Sequence, residues 1–238
     1  RERGLARIRD LDGTLLGEGE GGPANIHSNF AVAKDSIRDA TKSALAAAGL
    51  SESRLKCIHA GLGLAGAGMR AASDRLLAEL TSFGAIELET DAYVAWLGAH
   101  RGKDGGIAIL GTGSCGFAFV KGRRVVVAGW GPEVSDEAGG QRMGREALRR
   151  TLWAYDGRAE ACKLTTAILT RFNGDPSRIV MFAAKATPAD FGRFAPLIFE
   201  YARAQDALAL TLVKEAAEAA ASIIGALSAA GCPSVSLI

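Results

Sequence analysis

The sequence predicts an α/β protein built from two similar halves. Apolar residues alternate with polar ones in some segments, as in strands, and recur every three to four residues in others, as in helices. Both halves run in the same order, with strands joined by tight turns first, then a helix, then a strand. Of the 238 residues, 48% are apolar and 23% are charged, a composition typical of a chain with a packed core.

The first half, residues 1–100, opens with a predicted hairpin. Apolar and basic residues alternate over 5–9, and Asp12-Gly13 is the turn signal that follows. Residues 17–23 are rich in glycine and predict a loop. The elements predicted after it are a helix from about 30 to 49, a strand at 57–64, a helix at 69–80, a strand at 86–89 and a helix at 91–100.

In the second half, residues 101–238, strands again come first. The predicted elements are strands at 106–110, 116–120 and 125–128, helices at 141–155, 162–172, 188–204 and 206–230, and a strand at 234–238. This half begins with strand, glycine-rich turn and strand, whereas the first half begins with the counterpart of the second of these strands. We therefore expect a strand and a turn to precede Arg1 and a further element to follow Ile238.

Charge and cysteine usage narrow the class of function. There are 28 Lys and Arg and 26 Asp and Glu, and the net charge of +2 is too small to hold nucleic acid or a membrane surface. The cysteines form no C-x-x-C pair and the three histidines are isolated, so we expect reduced thiols, a cytoplasmic protein and no metal site of its own. The apolar stretch at 216–230 is interrupted by Glu218 and predicts a helix that does not span a membrane.

A Gly-Thr-Gly-Ser turn at 111–114, between two apolar strands, is the strongest candidate for a ligand site. Glycines let the backbone approach a ligand closely, and successive N–H groups and two hydroxyls can face a phosphate. An ordinary hairpin turn uses the same residue types for conformational reasons alone, so both interpretations stay open.

Gly61, Gly63 and Gly66 form a G-x-G-x-x-G pattern after a predicted strand and before a predicted helix. Dinucleotide-binding folds carry this pattern. The hairpin and the long helix that precede it are not the opening of such a fold, so close packing of strand against helix is the favoured interpretation.

Three polar residues lie where predicted elements meet. Asp91, between a strand and a helix, is either an N-cap or a carboxylate that accepts the proton of an attacking hydroxyl. Asp136, in the polar loop before the helix at 141–155, either caps that helix or accepts hydrogen bonds from sugar-type hydroxyls. Asn25, in a Pro-Ala-Asn run, is open to the same two kinds of interpretation.

Several segments, taken in order, resemble the bacterial glucosamine kinase and N-acetylglucosamine kinase family, part of the BadF/BadG-type ATPase group within the actin and hexokinase superfamily. The matching segments are GGPANI (21–26), GLGLAGAG (61–68), ETDAYVAWLGAH (89–100), AILGTGSCG (108–116), SDEAGG (135–140) and KATPADFGRFAPLIF (185–199). The resemblance covers essentially the whole chain.

The resemblance implies a two-lobed fold of duplicated ribonuclease-H-like domains, the actin-like ATPase fold, in which ATP and sugar meet in the cleft between the lobes. It implies that ATP, with Mg²⁺, phosphorylates the 6-hydroxyl of glucosamine or N-acetylglucosamine. The residues that would act are Asp91 as general base, Gly111, Thr112, Gly113 and Ser114 on the nucleotide phosphates, and Asn25 and Asp136 on the sugar hydroxyls.

The sequence also departs from the family pattern. The family's first phosphate loop would precede Arg1 and its adenine-side glycine pair would follow Ile238, so the lobes at 1–100 and 101–238 are both expected to lack elements. SDEAGG stands where much of the family has a Gly-Asp-Glu-Gly-Ser-Gly type of loop. Cys115 stands where some N-acetylglucosamine kinases carry Asn, which favours the free amino sugar.

Two other functions stay open. An ATPase of the same group can drive the conformational change of a partner protein, although the activators that do so carry paired cysteines for a shared cluster, unlike this chain. The other is a sugar-binding relative without catalysis. A homodimer is also left open.

Overall fold

The computed structural model describes residues 4–238. The chain divides into two compact units, Arg1–Ala95 and Trp96–Ile238. The division falls inside a helix, Asp91–His100, whereas the boundary expected from the sequence follows His100 at the end of the same helix.

The first unit follows the predicted order of strands and helices. Its elements are β1 (Gly4–Arg9), β2 (Leu15–Gly21), α1 (Phe30–Ala47), a 3₁₀ helix (Glu52–Cys57), β3 (His59–Leu64), α2 (Arg70–Glu79), β4 (Ala85–Thr90) and the start of α3 (Asp91–His100). β1 and β2 form an antiparallel pair, and β3 and β4 form a parallel pair. The core includes Ile37 of α1, Leu64 of β3 and Leu76 of α2, and full burial of a side chain such as Leu76 contributes roughly 1.5–3 kcal/mol.

The glycine-rich segment after Leu16 is a strand, so the predicted loop at 17–23 is wrong over most of its length. From Gly17 onward glycine occupies every second position of β2, and a Cβ on Gly17, Gly19 or Gly21 would collide with backbone atoms of α1. The period of two puts all three glycines on the face that α1 covers. Glycine here therefore permits close helix-to-strand contact and does not mark a loop.

The second unit begins with three strands and continues with helices. Its elements after α3 are β5 (Gly105–Leu110), β6 (Ser114–Val120), β7 (Arg123–Ala128), α4 (Gly140–Tyr155), α5 (Lys163–Arg171), α6 (Pro176–Ala183), α7 (Pro188–Gly192), α8 (Ala195–Arg203), α9 (Ala207–Ala229) and β8 (Val235–Leu237). The sheet order is β7-β6-β5-β8, with β8 parallel to β5 and the other pairs antiparallel.

Two hydrophobic clusters stabilise the second unit. Ile223 and Leu227 of α9 pack on the sheet against Ala108, Ala118 and Val120. The helices α4 to α9 bury a separate cluster that includes Leu164, Ile168, Ile198 and Leu212. The sheet therefore has its own core, separate from the helical cluster, and α9 contributes to both.

The helical part differs from the sequence prediction in two places. The single helix predicted at 188–204 is broken into α7 and α8, because Pro196 has no amide hydrogen to donate to Gly192 four residues earlier. α6 was not predicted at all. It begins with Asp175 accepting a hydrogen bond from Ser177 N (2.8 Å) and with proline at its first position, a common helix start.

No helix within residues 4–238 is both long enough and apolar enough to cross a bilayer.

The contact between β2 and α1 gives a stability prediction. We expect Gly19→Ala to lower the free energy of unfolding by about 2 kcal/mol or more, because the new methyl group collides with α1 backbone that cannot rotate away. The matched control is Gly61→Ala in β3, where an added Cβ meets nothing within 4 Å, and it should leave stability unchanged or slightly raised. Urea unfolding followed by circular dichroism measures both, and equal losses would contradict the packing described.

Candidate functional site

Two of the predicted site residues line one cavity in the first unit. The cavity has a volume of about 840 Å³ and is lined mainly by residues of β1, β3 and α1. Asn25 and Asp91 both contribute to its lining. The structure therefore places the candidate base and the residue predicted to bind a sugar hydroxyl on the wall of one cavity, although they lie far apart in the sequence.

Asp91 is not the cap of α3. Thr90, the last residue of β4, accepts a hydrogen bond from Tyr93 N through its hydroxyl oxygen (3.1 Å) and so takes the N-cap role. Within residues 4–238, the Asp91 carboxylate accepts only from the amide of the next residue, Ala92 (2.9 Å), and the residue is exposed. Thr90, and not Asp91, is therefore the N-cap of α3. Most of the Asp91 carboxylate remains available to a ligand.

Asn25 holds a turn with one end of its side chain. Oδ1 accepts hydrogen bonds from His27 N and Ser28 N, both at 3.0 Å. Nδ2 donates to no residue in the described range 4–238. The turn chemistry expected from the sequence and a ligand-binding role are thus compatible, because they use different atoms of the amide.

Two of the three G-x-G-x-x-G glycines, Gly63 and Gly66, serve close packing, whereas a Cβ on Gly61 would meet nothing within 4 Å. A Cβ on Gly63 would lie 2.8 Å from Val94 Cβ of α3, and a Cβ on Gly66 would lie 2.9 Å from Asn25 Oδ1. Gly66 also has φ +83°, a conformation that favours glycine. Gly63 and Gly66 set how closely α3 approaches β3 and how the Asn25 turn is placed, so the packing interpretation applies to these two glycines and not to Gly61.

In the second unit, the turn at Gly111–Gly113 is attached to the beginning of α4. Gly140 N donates to Gly111 O (2.8 Å), and Gln141 N donates to Thr112 O (2.9 Å). A helix begins with amides that have no partner within the helix, and here the carbonyls of the turn supply two of those partners. The approach requires glycine at 139, where a Cβ would lie 2.6 Å from Thr112 O.

This attachment fixes where the turn's own amides point. In a trans peptide the N–H points opposite to the C=O, so carbonyls directed at α4 turn the amides of Thr112 and Gly113 away from it. Neither amide donates to any residue of the described chain. Two successive unpaired amides directed outward form a nest of the kind that binds anions.

Ser114 and Asp136 close the other side of the turn. Ser114 is 3% exposed and its hydroxyl oxygen accepts from Ala138 N (3.1 Å). Partial burial raises the pKa of Asp136 above its ordinary value, and a hydrogen bond from the Ser114 backbone opposes that rise. Ser114 thus joins the turn to the Asp136 loop, and its direct contact with phosphate stays a prediction.

The predicted site residues therefore form two groups. Asn25 and Asp91 line the cavity of the first unit, and Gly111–Ser114 lie beside Asp136 in the second. Sequence reasoning missed Thr90 and Gly139. A threonine directly before an aspartate at a helix start is a signal for the first, whereas the need for glycine at 139 comes from contact with a turn almost thirty residues away.

The structure gives no protein cage for a metal ion. Within residues 4–238, no group of three or more His, Cys, Asp or Glu side chains is placed to hold one. A cation that arrives with a nucleotide is held largely by phosphate oxygens and needs one or two carboxylates from the protein. The Asp136 carboxylate, beside Gly113, is of a type that fits such a cation.

Known proteins similar to this chain are sugar kinases by name. It is 40% identical to glucosamine kinase GspK of Vibrio cholerae over 212 residues, which are 89% of this chain and 72% of that one. It is 30% identical to an N-acetylmuramic acid/N-acetylglucosamine kinase of Clostridium acetobutylicum over 169 residues, 68% of this chain and 54% of that protein. The chain thus spans about three quarters of the first relative and about half of the second.

Solved structures agree with the fold. A proposed N-acetylglucosamine kinase of Chromobacterium violaceum superposes with a TM-score of 0.92 at 34% identity, over 98% of this chain and 82% of that one. A protein of Porphyromonas gingivalis superposes with a TM-score of 0.58 at 20% identity, over 98% and 90%, and supports the fold alone.

The α/β fold of this chain thus has a counterpart in a known structure. The model of the BadF/BadG/BcrA/BcrD ATPase family matches residues 4–232, nearly the whole chain. The chain belongs to the BadF/BadG/BcrA/BcrD ATPase family.

Proposed function

We propose that this protein is an ATP-dependent kinase that phosphorylates the 6-hydroxyl of an amino sugar. The observation that carries the proposal is the anion nest at Thr112 and Gly113, formed by two unpaired amides on a turn that α4 holds in place. The kinase names of the relatives support the reaction class. The exposed Asp91 carboxylate supports a hydroxyl as the phosphate acceptor.

The turn at Gly111–Gly113 takes the phosphates of ATP. The amides of Thr112 and Gly113 donate to phosphate oxygens, and the hydroxyl of Thr112 adds a third donor. The positive end of α4 lies behind the turn, and its first amides polarise the two peptide groups through the bonds to Gly111 O and Thr112 O. Both effects favour the negative charge of a triphosphate.

Asp91 acts as the general base. The sugar oxygen forms a bond to the γ-phosphorus, the bond from that phosphorus to the bridging oxygen breaks, and ADP leaves with the electron pair. The hydroxyl proton goes to the Asp91 carboxylate. Such transfers need little covalent work from the protein, so positioning the hydroxyl contributes much of the rate.

Asn25 and Asp136 are assigned to sugar hydroxyls. Asn25 Nδ2 is a donor without a partner in the described chain, and it lines the same cavity as Asp91. The Asp136 carboxylate has two oxygens, so it can accept from a sugar hydroxyl in addition to the Ser114 amide. The Asp136 carboxylate, beside Gly113 of the turn, would also hold Mg²⁺ that arrives with ATP, and that ion would neutralise charge on the phosphates.

The preferred sugar is glucosamine in this proposal. Cys115, on β6 opposite Ala128, offers no amide to an acetamido group where some relatives carry Asn. The likeness to a glucosamine kinase points in the same direction. The proposal therefore ranks glucosamine above N-acetylglucosamine and both above glucose.

A substrate panel tests the function. Purified full-length protein with ATP and Mg²⁺ is given glucosamine, N-acetylglucosamine or glucose, and ADP release is coupled to NADH oxidation. We expect sugar-stimulated ADP release, fastest with glucosamine, and a 6-phosphate product by NMR. Sugar binding without ADP release would favour a non-catalytic sugar-binding protein, and ADP release that no sugar stimulates would favour an ATPase that serves a partner protein.

Removal of the general base gives a kinetic prediction. We expect Asp91→Asn to lower kcat by about 10²- to 10⁴-fold with a small change in the KM for sugar, because the amide cannot accept the hydroxyl proton. The matched control is Asp10→Asn, in the same cavity, where Asn can still accept the bonds from Asp12 N and Thr14 N. Wild-type turnover by Asp91→Asn would refute the assignment.

Asp136 gives a prediction that links stability and function. Its pKa is raised by burial, so protonation stabilises the fold below the ordinary pKa, and that contribution is lost as pH rises through the raised pKa. At neutral pH the buried charge therefore costs stability. We expect Asp136→Asn to raise Tm at pH 7 and to lose much of this gain below pH 3.8, the ordinary value.

The same substitution should weaken catalysis, with the KM for sugar rising by about tenfold as a charged hydrogen-bond acceptor is lost. Thermal unfolding across pH, together with steady-state kinetics, separates these effects. A lower Tm at pH 7 would contradict the burial argument, and an unchanged KM would contradict the sugar contact.

A further inference from the structure

Gln141 is a buried polar residue to which the proposed chemistry assigns no task. It is the second residue of α4 and is 1% exposed. Burial of an amide side chain costs free energy unless its donors and acceptors are paired. Its Oε1 is nevertheless buried without a hydrogen-bond partner among residues 4–238. Stability alone does not explain a glutamine at this position.

Gln141 bonds both parts of the site in the second unit. Its backbone amide donates to Thr112 O (2.9 Å) in the turn at Gly111–Gly113, which we call the phosphate turn. Its side-chain Nε2 donates to Pro132 O (3.4 Å). Pro132 belongs to residues 130–136, which we call the Trp130 segment and which ends at Asp136. One residue thus contacts the phosphate turn through its main chain and the Trp130 segment through its side chain.

The exposed side chains of the Trp130 segment hold its middle only weakly, whereas its Asp136 end accepts a hydrogen bond from the Ser114 amide. Trp130 and Val134 are 77% and 79% exposed, so they add little packing. The ion pair of Glu133 with Arg145 is long, at 3.8 Å, with the Glu133 side chain 79% exposed, and exposed pairs contribute little. The bond from Gln141 reaches the middle of the segment from a buried position.

We propose that Gln141 is a positioning residue that keeps the Trp130 segment, and with it the Asp136 carboxylate, in register with the phosphate turn. The inference rests on the proposed function, because it assigns Asp136 to the sugar. Gln141 acts through Asp136 and touches no substrate. Any residue at 141 keeps the backbone amide that donates to Thr112 O, so loss of the side chain affects sugar binding and leaves phosphate binding intact.

The first test uses Gln141→Met, which keeps the length of the side chain and removes its amide. We expect the KM for glucosamine to rise about three- to tenfold and the KM for ATP to change less than twofold. Tm should stay level or rise, because the substitution also removes an unpaired buried acceptor. An unchanged KM for glucosamine, or a parallel loss of both substrates with a fall in Tm, would overturn the proposal.

The second test uses Gln141→Glu, because only a protonated carboxyl can donate to Pro132 O. We expect the ratio of this variant's KM for glucosamine to that of wild type to fall toward one as pH is lowered from about 8 to about 6. The reason is that a buried carboxyl takes up a proton at a pH well above its usual range. Gln141→Met should show no such recovery. A KM ratio of Gln141→Glu to wild type that does not change with pH would contradict the role of the residue 141 side chain as donor to Pro132 O.

A third measurement does not depend on catalysis. Hydrogen–deuterium exchange of peptides that cover 130–136 should be faster in Gln141→Met than in wild type. Equal exchange would overturn the proposal even if the wild type proves to be no kinase. Absence of sugar-stimulated ADP release in the wild type, with faster exchange in the variant, would instead remove the proposed function and leave the positioning role.

Discussion

Two hydrogen bonds at the beginning of α4 determine the geometry of the phosphate turn. The first amides of this helix would otherwise lack partners, and the carbonyls of Gly111 and Thr112 supply them at 2.8 and 2.9 Å. Because each peptide group is planar and trans, the same bonds direct the amides of Thr112 and Gly113 away from the helix. The turn therefore needs no charged side chain to present an anion site, and what it does need is glycine at 139, where nothing larger fits.

The first unit keeps its functional groups available in a comparable way. The backbone amides near each proposed site residue bond either to a neighbouring residue or to one atom of its side chain. The other polar atoms of that side chain therefore remain unpaired within the described residues. Thr90 caps α3 and leaves most of the Asp91 carboxylate unbonded. Asn25 uses Oδ1 for its turn and keeps Nδ2. In both cases a polar group that maintains the fold is distinct from the group assigned to the substrate.

Much of this fold could be predicted from periodicity, because most strands and helices lie within a few residues of their expected limits. The exceptions have local causes with distant partners. Residues 17–21 of β2 were predicted as part of a loop because they are rich in glycine, and composition does not reveal that these glycines face α1. Pro196 is a sequence signal for the break between α7 and α8. The apolar pattern that continues through Pro196 nevertheless predicts a single helix.

Residue type and family resemblance indicate the site residues, but the surroundings of these residues could not be predicted from the sequence. Glycine spacing indicated a turn at 111–114 but not the helix that holds it, because α4 begins almost thirty residues later. The Thr-Asp pair at 90–91 contained two possible caps, and only the structure shows that threonine takes the role. Likewise, a single buried glutamine at the second position of a helix has no sequence signal, since its bonds to Thr112 and Pro132 depend on the tertiary fold.

The most direct test of how the turn is held compares two adjacent glycines. A Cβ at 139 would lie 2.6 Å from Thr112 O and push the turn off α4, whereas a Cβ at 140 would meet its nearest atoms at 3.4 Å. Titration calorimetry of full-length Gly139→Ala and Gly140→Ala with ATP should give a Kd raised about 10- to 100-fold for the first, equivalent to one or two lost hydrogen bonds to charged groups, and raised less than threefold for the second. Equal affinity of the two variants for ATP would contradict a phosphate site that depends on the contact between this turn and α4.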